Sequence, residues 1–414
     1  MKKLLTVSCI GVGLRGQRYL SALHDLGEDK IKVVSLCDKD PVRLKQEKEK
    51  YHLSDNDCYF DEEEFFKNLK ADLCIVSTQD QDHVRHAIKA MEAGSNVLCE
   101  KPISNKESEV RRLLEVQKKT NKKVMICHVL RFAPAYQKVK ELIEQGMIGQ
   151  LVFIDSMENV FYEHQAHSFV RGNWRREEET SPMIIAKCCH DLDLLVWYSG
   201  SKCKSLSSIG DLTFFKEENQ PEGASDRCLN CKYRGTCPFD AYTIYINHHF
   251  WGKEAVTNVR PITDEVLEKE LETSPYGRCV FKCDNDVVDH QLTTLTFENG
   301  VKANLRMSGL THDYGRIMKF YGTAGQIDLD EVRGVVEVKV FGKEKEVIQI
   351  SSLIDAISGH GGGDIGLIKG LYEYLTTGNT KNVSSLEVSI ESHLMGFAAE
   401  ESRLKGGEVV EIKH

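Results

Sequence analysis

The sequence predicts an α/β domain built on a parallel sheet, followed by an α+β domain with a large, mainly antiparallel open sheet. Three observations support this. Short runs of Val, Ile, Leu and Cys alternate with helix-length segments up to residue 126, as in repeated β-α-β units. A glycine-rich turn follows the first run. Beyond residue 151, apolar and polar residues alternate around Asn299-Gly300, a strong hairpin signal.

The chain of 414 residues is long enough for two domains. We predict a first domain over 1–126 and a second over 127–414, the latter with a cysteine-rich insertion at about 215–285 and C-terminal helices at about 364–405. The predicted parallel strands are LLTVSCIGVG, IKVVSLCD, ADLCIVST, SNVLCEKP and KKVMICHV. The predicted antiparallel strands flank the Asn-Gly turn and continue in RIMKFYG, GQIDLD, GVVEVKVFG and EVIQI. GHGGGD at 359–364 is predicted to be a loop that leads into the C-terminal helices.

Composition and charge exclude several classes of protein. With 41 % hydrophobic and 28 % charged residues the chain is typical of a globular protein. Its net charge of −9 argues against nucleic-acid and anionic-membrane partners, which need clustered Lys and Arg. The N-terminus imitates a leader peptide, but cleavage before Cys9 would remove the first strand. Because cysteines occur inside strand-like runs as small buried hydrophobes, we expect free thiols and a cytoplasmic protein.

The glycine-rich turn predicts a dinucleotide site. It consists of Gly11, Val12, Gly13, Leu14, Arg15 and Gly16, which fits G-x-G-x-x-G between a strand and a helix. Such a turn brings backbone N–H groups and the positive end of a helix dipole to a pyrophosphate. Asp38 ends the next strand, where the Rossmann fingerprint expects an acid that binds ribose hydroxyls and disfavours a 2′-phosphate. We therefore predict NAD rather than NADP as cofactor, a preference that the nearby Lys39 and Arg43 weaken, and we count Arg43 among the cofactor-binding residues.

A second candidate site lies at Glu100-Lys101-Pro102, at the end of a predicted strand. Ligands of open parallel sheets gather outside the carboxyl ends of the strands. We expect Glu100 and Lys101 to border the cofactor, with Lys101 reaching the nicotinamide or a substrate hydroxyl.

A strand-end E-K-P after an N-terminal G-x-G-x-x-G resembles the Gfo/Idh/MocA family. RFAPAYQKVKELIEQGMIGQLVFI, HDLDLLVWYSG, FYGTAGQIDLD and GHGGGD also resemble family segments. The resemblance implies a nicotinamide-dependent enzyme that acts on sugars or polyols bound between its two domains. By position, Lys101 matches the family lysine and His190 the active-site histidine. The chain departs from the family's D-x-G-x-H pattern, since it has Ala186 in place of the aspartate and Lys187 one residue later.

The catalytic candidates are Lys101, His190 and Lys187. Histidine suits proton exchange near neutral pH, so we expect His190 to be the base and Lys101 to orient the hydroxyl. A lysine can also serve when burial or a neighbouring cation lowers its pKa, and two lysines at one site would lower the pKa of each other. Substrate contacts are predicted from residues that can clamp hydroxyls or stack on a sugar ring: Arg131, Trp174, Arg175 and His312.

The insertion contains a cysteine cluster that predicts a structural zinc site. Its ligands would be Cys228, Cys231, Cys237 and Cys279, with Cys283 as the alternative fourth ligand. We expect this polar segment to have little core of its own, so that the metal would order it. Free thiols, an iron–sulfur cluster and a disulfide are the alternatives.

Together these observations predict an NAD-dependent oxidoreductase acting on a secondary hydroxyl of a sugar, glycoside or cyclitol. Because Lys187 and His190 stand in place of a carboxylate pair, the sequence is also compatible with a redox-neutral glycosidase. In such an enzyme, transient oxidation of the sugar acidifies a neighbouring C–H and allows elimination of the aglycone. A non-catalytic, cofactor-bound sensor or assembly protein is the alternative of another class. We expect a homodimer or homotetramer formed through the open face of the antiparallel sheet.

Overall fold

The structure, a computed structural model, describes residues 4–353 and 359–414, which form a six-stranded and a nine-stranded sheet. The first sheet is parallel, in the order β3-β2-β1-β4-β5-β6. Its strands are β1 Leu5–Ile10, β2 Ile31–Cys37, β3 Cys58–Tyr59, β4 Leu73–Val76, β5 Asn96–Cys99 and β6 Val124–Ile126. The five predicted runs are confirmed as β1, β2, β4, β5 and β6. The strand order reverses between β1 and β4, where a doubly wound sheet opens its ligand crevice.

Helices cover both faces of this sheet. They are α1 Leu14–His24, α2 Pro41–Lys50, α3 Glu62–Asn68, α4 His83–Glu92 and α5 Glu107–Thr120. The start of α2 shows how local sequence sets a boundary. The Asp40 carboxylate accepts hydrogen bonds from the backbone N–H groups of Val42 and Arg43, and Pro41 occupies the first helical turn.

The second sheet has the order β14-β13-β12-β11-β7-β10-β9-β8-β15. Its strands are β7 Leu151–Asn159, β8 Cys203–Asp211, β9 His290–Phe297, β10 Lys302–Ser308, β11 Gly315–Gly322, β12 Gly325–Asp330, β13 Val335–Val340, β14 Glu346–Gln349 and β15 Val410–Glu411. The predicted, mainly antiparallel sheet is confirmed, with β7 and β10 pairing in parallel near its centre. Asn299 and Gly300 join β9 to β10, and Gly300 adopts the positive φ of 90° that this turn requires.

The remaining helices follow the strands of the first sheet along the chain, and α6 leads from the first sheet to the second. They are α6 Pro134–Glu144, α7 Tyr162–His164, α8 Met183–Ala186, α9 Cys189–Ser199, α10 Asp264–Thr273, α11 Gly363–Thr377 and α12 Leu386–Leu404. A π-helical turn, Gln165–Arg171, follows α7. Helix α12 packs on α9 and β8, and it belongs with them to one large hydrophobic core.

The insertion between β8 and β9 has a hydrophobic core of its own. Its buried residues include Phe215, Phe239, Tyr245, Leu271 and Phe281. The expectation that this segment has little core was therefore wrong. Its aromatic residues are far apart in a polar sequence, and they come into contact only when the chain folds.

Helix α11 returns to the first domain, although the sequence assigns it to the second. Leu367, Ile368 and Leu371 are buried in the same core as β1 and α1. The approach is close because a Cβ at Gly366 would lie 2.6 Å from the Phe132 carbonyl oxygen. A helix that follows the strand β14 of the second sheet is thus part of the core of the first domain.

The described residues include no helix long and apolar enough to span a membrane. Residues 1–3 of the leader-like start lie outside the described residues. Cys9 lies buried within β1.

We expect Gly366→Ala to lower Tm, because the added methyl group meets backbone that has no room to move. Overpacking of this kind costs about 1–3 kcal/mol, which exceeds the gain of about 0.5–1 kcal/mol that alanine brings inside a helix. Differential scanning calorimetry measures the change. Lys369→Ala, at an exposed position of the same helix, is the control, and equal Tm values for both variants would contradict the close-packing argument.

Candidate active site

The glycine turn is shaped for a phosphate group. Gly11 has a positive φ of 85°, and a Cβ there would lie 2.6 Å from the Ser77 backbone at the end of β4. A Cβ at Gly16 would lie 2.4 Å from the Gly11 carbonyl oxygen, so this glycine lets α1 pack closely. At Gly13 the nearest atom is a flexible Arg43 nitrogen at 3.9 Å, which leaves open space before the start of α1. The turn therefore fits a pyrophosphate at the N-terminal end of α1.

Asp38 lies beside this turn at the end of β2. Its carboxylate accepts hydrogen bonds from the backbone N–H groups of Val12 at 2.5 Å and Asp40 at 2.8 Å. Arg43 donates to the side-chain oxygen of Asn258 at 3.0 Å, so the insertion reaches the predicted ribose end of the site. Leu14 is exposed at the start of α1. The structure thus brings the predicted cofactor residues of the first domain together.

Arg15 connects the turn to the strand-end motif and to α11. Its guanidinium donates to Glu100 at 2.7 Å and to Asp364 at 2.9 Å. Tyr19 donates to the same Glu100 carboxylate at 2.5 Å. Burial alone would raise the pKa of Glu100, but Arg15 and Lys101 outweigh it and hold this pKa below its usual value. Arg15 therefore fixes the geometry of the site through its ion pairs.

Lys101 lies next to the active-site helix. Its Nζ donates to the Ala186 carbonyl oxygen at 3.0 Å, four residues before His190. His190 lies in the first turn of α9 and is buried. Its Nδ1 is buried and has no hydrogen-bond partner within the described ranges. The structure therefore brings together the lysine and the histidine that the sequence predicts.

Two further imidazoles surround His190. The ring centroids of His128 and His360 lie 5.7 Å and 6.2 Å from that of His190. Burial, then the positive charge of Lys101, holds the pKa of His190 well below its ordinary value. His190 is therefore neutral at neutral pH, the form that a general base needs.

Lys187 is part of a buried network of opposite charges. Its Nζ lies 3.0 Å from the Glu158 carboxylate, and Arg316 joins Glu158 at 2.7 Å to Asp191 at 2.8 Å. Burial would lower the pKa of Lys187, but Glu158 raises it above its usual value. We expected a second lysine to lower the pKa of Lys187, and this was wrong. The Glu158 carboxylate of β7 lies next to Lys187, a contact that the sequence does not reveal.

The predicted substrate residues are found in different surroundings. The Arg131 guanidinium is buried and donates to both carboxylate oxygens of Asp193 at 2.5 and 2.7 Å. Arg175 pairs with Asp284 of the insertion at 2.9 Å. The indole of Trp174 lies against Asp80, just beyond the end of β4. The side chain of His312 is 95 % exposed. Their roles in substrate binding stay predictions.

The predicted zinc site is not supported by the structure. Within residues 4–353 and 359–414, no three His, Cys, Asp or Glu side chains are grouped so that they could hold a metal ion. The predicted ligands line one small cavity of about 20 Å³: Cys228, Cys231, Cys237 and Cys279. Cys283 donates to the Cys279 carbonyl oxygen at 3.3 Å. The insertion's aromatic core removes one of the two reasons for which a metal was expected, the need to order a polar segment; the C-x-x-C spacing was the other.

Several residues of the site were not predicted from the sequence. They are Glu158, Arg316 and His360. GHGGGD was predicted to be a loop, and its histidine, His360, could have been recognised from the sequence as a candidate site residue. Glu158 and Arg316 gave no such signal, because they lie on different strands and meet only through the sheet.

Comparisons with known proteins agree with this geometry. A family model described as "Oxidoreductase family, NAD-binding Rossmann fold" matches residues 5–128, and one described as "GFO/IDH/MocA C-terminal domain" matches residues 136–328. The oxidoreductase YteT of Bacillus subtilis is 24 % identical over 377 residues, covering 86 % of this chain and 85 % of its own.

Solved structures share the fold. An oxidoreductase from Agrobacterium radiobacter, in complex with NAD+, L-tartaric acid and magnesium, superposes with a TM-score of 0.71 at 16 % identity, covering 99 % of each chain. The scyllo-inositol dehydrogenase of Lactobacillus casei, with bound NAD(H) and scyllo-inositol, gives a TM-score of 0.67 at 15 % identity, covering 99 % of each chain. At these identities the likeness shows the fold alone.

We expect Gly13→Ala to weaken NAD binding without loss of folding, because its Cβ enters the open space at the turn. Gly16→Ala is expected to lower Tm as well, because its Cβ meets the Gly11 carbonyl oxygen. Isothermal titration with NAD and a thermal melt separate the two effects. Wild-type NAD affinity in Gly13→Ala would argue against a pyrophosphate at this position.

Proposed function

Because the chain belongs to the Gfo/Idh/MocA family of NAD-binding oxidoreductases, we propose that it transfers a hydride between a secondary hydroxyl carbon of a sugar, glycoside or cyclitol and NAD. One observation carries the proposal: the hydrogen bond of Lys101 to the Ala186 carbonyl oxygen brings the strand-end lysine beside His190. Ketone reduction, the reverse direction, uses the same groups.

In this proposal the described residues move the proton and hold the substrate. NAD, when bound along the glycine turn and the ends of β1, β4 and β5, supplies the hydride acceptor. Neutral His190 takes the hydroxyl proton as general base. Lys101 donates a hydrogen bond to the same hydroxyl oxygen, and its positive charge favours the alkoxide as the proton leaves.

In this proposal Lys187 does not act as a base. Because Glu158 raises the pKa of Lys187, the lysine stays protonated. In this proposal it donates a hydrogen bond to a substrate hydroxyl. Glu158 and Asp191 balance the positive charges of Lys187 and Arg316, so the site keeps both cations without an unpaired buried charge.

A redox-neutral glycosidase is the second candidate, and His360 favours it. Its ring lies 6.2 Å from that of His190, so two imidazoles lie close together. Elimination of an aglycone needs one group to remove a proton from carbon and another to protonate the leaving oxygen. His190 and His360 would fill these two roles.

The assembly and location of the protein are also proposals. Phe153 and Tyr321 lie 5.9 Å apart on adjacent strands of the second sheet. Together with the exposed Ile209 and Leu292, they support a homodimer or homotetramer formed through this sheet. Buried thiols within the strands support a cytoplasmic location.

We expect Lys101→Ala and His190→Ala each to lower kcat by about 10²–10⁴-fold, the usual contribution of a positioned acid or base. The assay follows NADH absorbance and product formation over a panel of inositols, monosaccharides and glycosides. Net NADH supports the dehydrogenase, whereas aglycone release without net NADH supports the glycosidase. Full function in both variants, together with loss on changing Asp38, would favour the non-catalytic sensor.

We expect the acid limb of the kcat/KM profile to lie well below pH 6.5. His190 works as a base only when neutral, and burial together with Lys101 lowers its pKa, so activity persists as the pH falls. In Lys101→Met, one of these causes is gone and the pKa of His190 should rise, which NMR titration of its imidazole measures directly. A limb at or above pH 6.5 in the wild type would contradict the assignment of His190 as base.

A further inference from the structure

Two exposed aromatic residues flank the same buried histidine. Trp251, in the insertion, is 60 % exposed, and Tyr314, between β10 and β11, is 51 % exposed. The His164 ring lies edge-on to Trp251 at 5.0 Å and is tilted against Tyr314 at 6.0 Å. We call these residues, Trp251, His164 and Tyr314, the aromatic rim.

The aromatic rim is continuous with the catalytic residues. The Nζ of Lys187 lies 5.5 Å from the centre of the Tyr314 ring. Burial, followed by the charge of Lys187, holds the pKa of His164 well below its ordinary value. His164 is therefore neutral and lies next to the cation that borders the proposed substrate.

Trp251 is held in its exposed position. Its ring lies 4.9 Å from that of Phe250, a buried member of the insertion's core, and 6.0 Å from that of His167. A Cβ at the next residue, Gly252, would lie 2.7 Å from the His167 Nε2. The insertion therefore supports Trp251 from beneath and leaves much of its surface to solvent.

Polar side-chain atoms of His164 and of the next residue, Gln165, lack hydrogen-bond partners within the described part of the chain. They are the His164 Nδ1 and both amide atoms of Gln165, and all three are buried. Buried polar atoms are nearly always hydrogen-bonded, so such a group points to a missing water or ligand. Gln165 packs against Gly309, in the same connection between β10 and β11 that carries Tyr314.

We propose that the aromatic rim is a second sugar-binding subsite, so that the natural substrate is a glycoside of at least two rings. This inference rests on the proposed function, because it extends the substrate beyond the ring that is oxidised. The first ring lies at Lys101 and His190. The apolar face of the second ring stacks on Trp251 and Tyr314, and its hydroxyls provide the hydrogen bonds that a buried histidine needs.

The experiment compares disaccharides with the methyl glycosides of the same sugars, by isothermal titration of the NADH-loaded protein. We expect Trp251→Ala and Tyr314→Ala each to weaken disaccharide binding by about tenfold, equal to about 1.4 kcal/mol, and methyl-glycoside binding by less than about twofold. Trp251→Phe should keep most of the affinity. Phe341→Ala, which removes an exposed aromatic residue from the distant β13–β14 turn, should change neither.

Equal losses for both ligand classes would overturn the subsite, as would unchanged affinity in both alanine variants. Disaccharides that bind no better than methyl glycosides to the wild type would also overturn it, while leaving the proposed oxidation of a single ring intact. If NADH binds normally but every sugar fails to bind, the proposed substrate class fails together with the subsite.

Discussion

The site depends on the pairing of buried charges beneath the substrate. Lys187 and Arg316 are enclosed in protein, and each would be costly to bury without a counter-ion. The Glu158 carboxylate lies between them, and the Asp191 carboxylate forms a second ion pair with Arg316. This arrangement keeps Lys187 and Arg316 paired inside the protein, while burial and then the charge of Lys101 hold the pKa of His190 low. A carboxylate supplied by β7 and a guanidinium supplied by β11 therefore pair with charged residues at the start of α9 and just before it.

A second set of ion pairs joins the cofactor turn to the rest of the site. Arg15 belongs to the glycine motif, Glu100 to the end of β5 and Asp364 to the start of α11. A movement of α11 would therefore reach both the helix that faces the pyrophosphate and the strand that carries Lys101. His360 lies 3.3 Å from Asp364, so one of the imidazoles around His190 is held by the same carboxylate.

Sequence reasoning succeeded where the chemistry is local. The glycine turn, the strand-end lysine and the Asn-Gly hairpin are each written within a few residues, and the structure shows the fold that they predict. It failed where a partner comes from far along the chain. Glu158, on a strand that precedes Lys187 by many residues, reverses the expected pKa shift of Lys187. The zinc site, which the described residues do not support, was expected partly because the insertion looked coreless: Phe215, Phe239 and Phe281 lie far apart in sequence, and the core that they form could not be seen.

The return of α11 to the first domain has a consequence for how the protein is made. Leu367, Ile368 and Leu371 complete the core that contains β1 and α1, yet they are translated long after these elements. Chains usually fold domain by domain as they leave the ribosome. Here the core that contains β1 and α1 is completed only after α11 has been synthesised, so part of its apolar surface stays uncovered while the intervening second sheet is made.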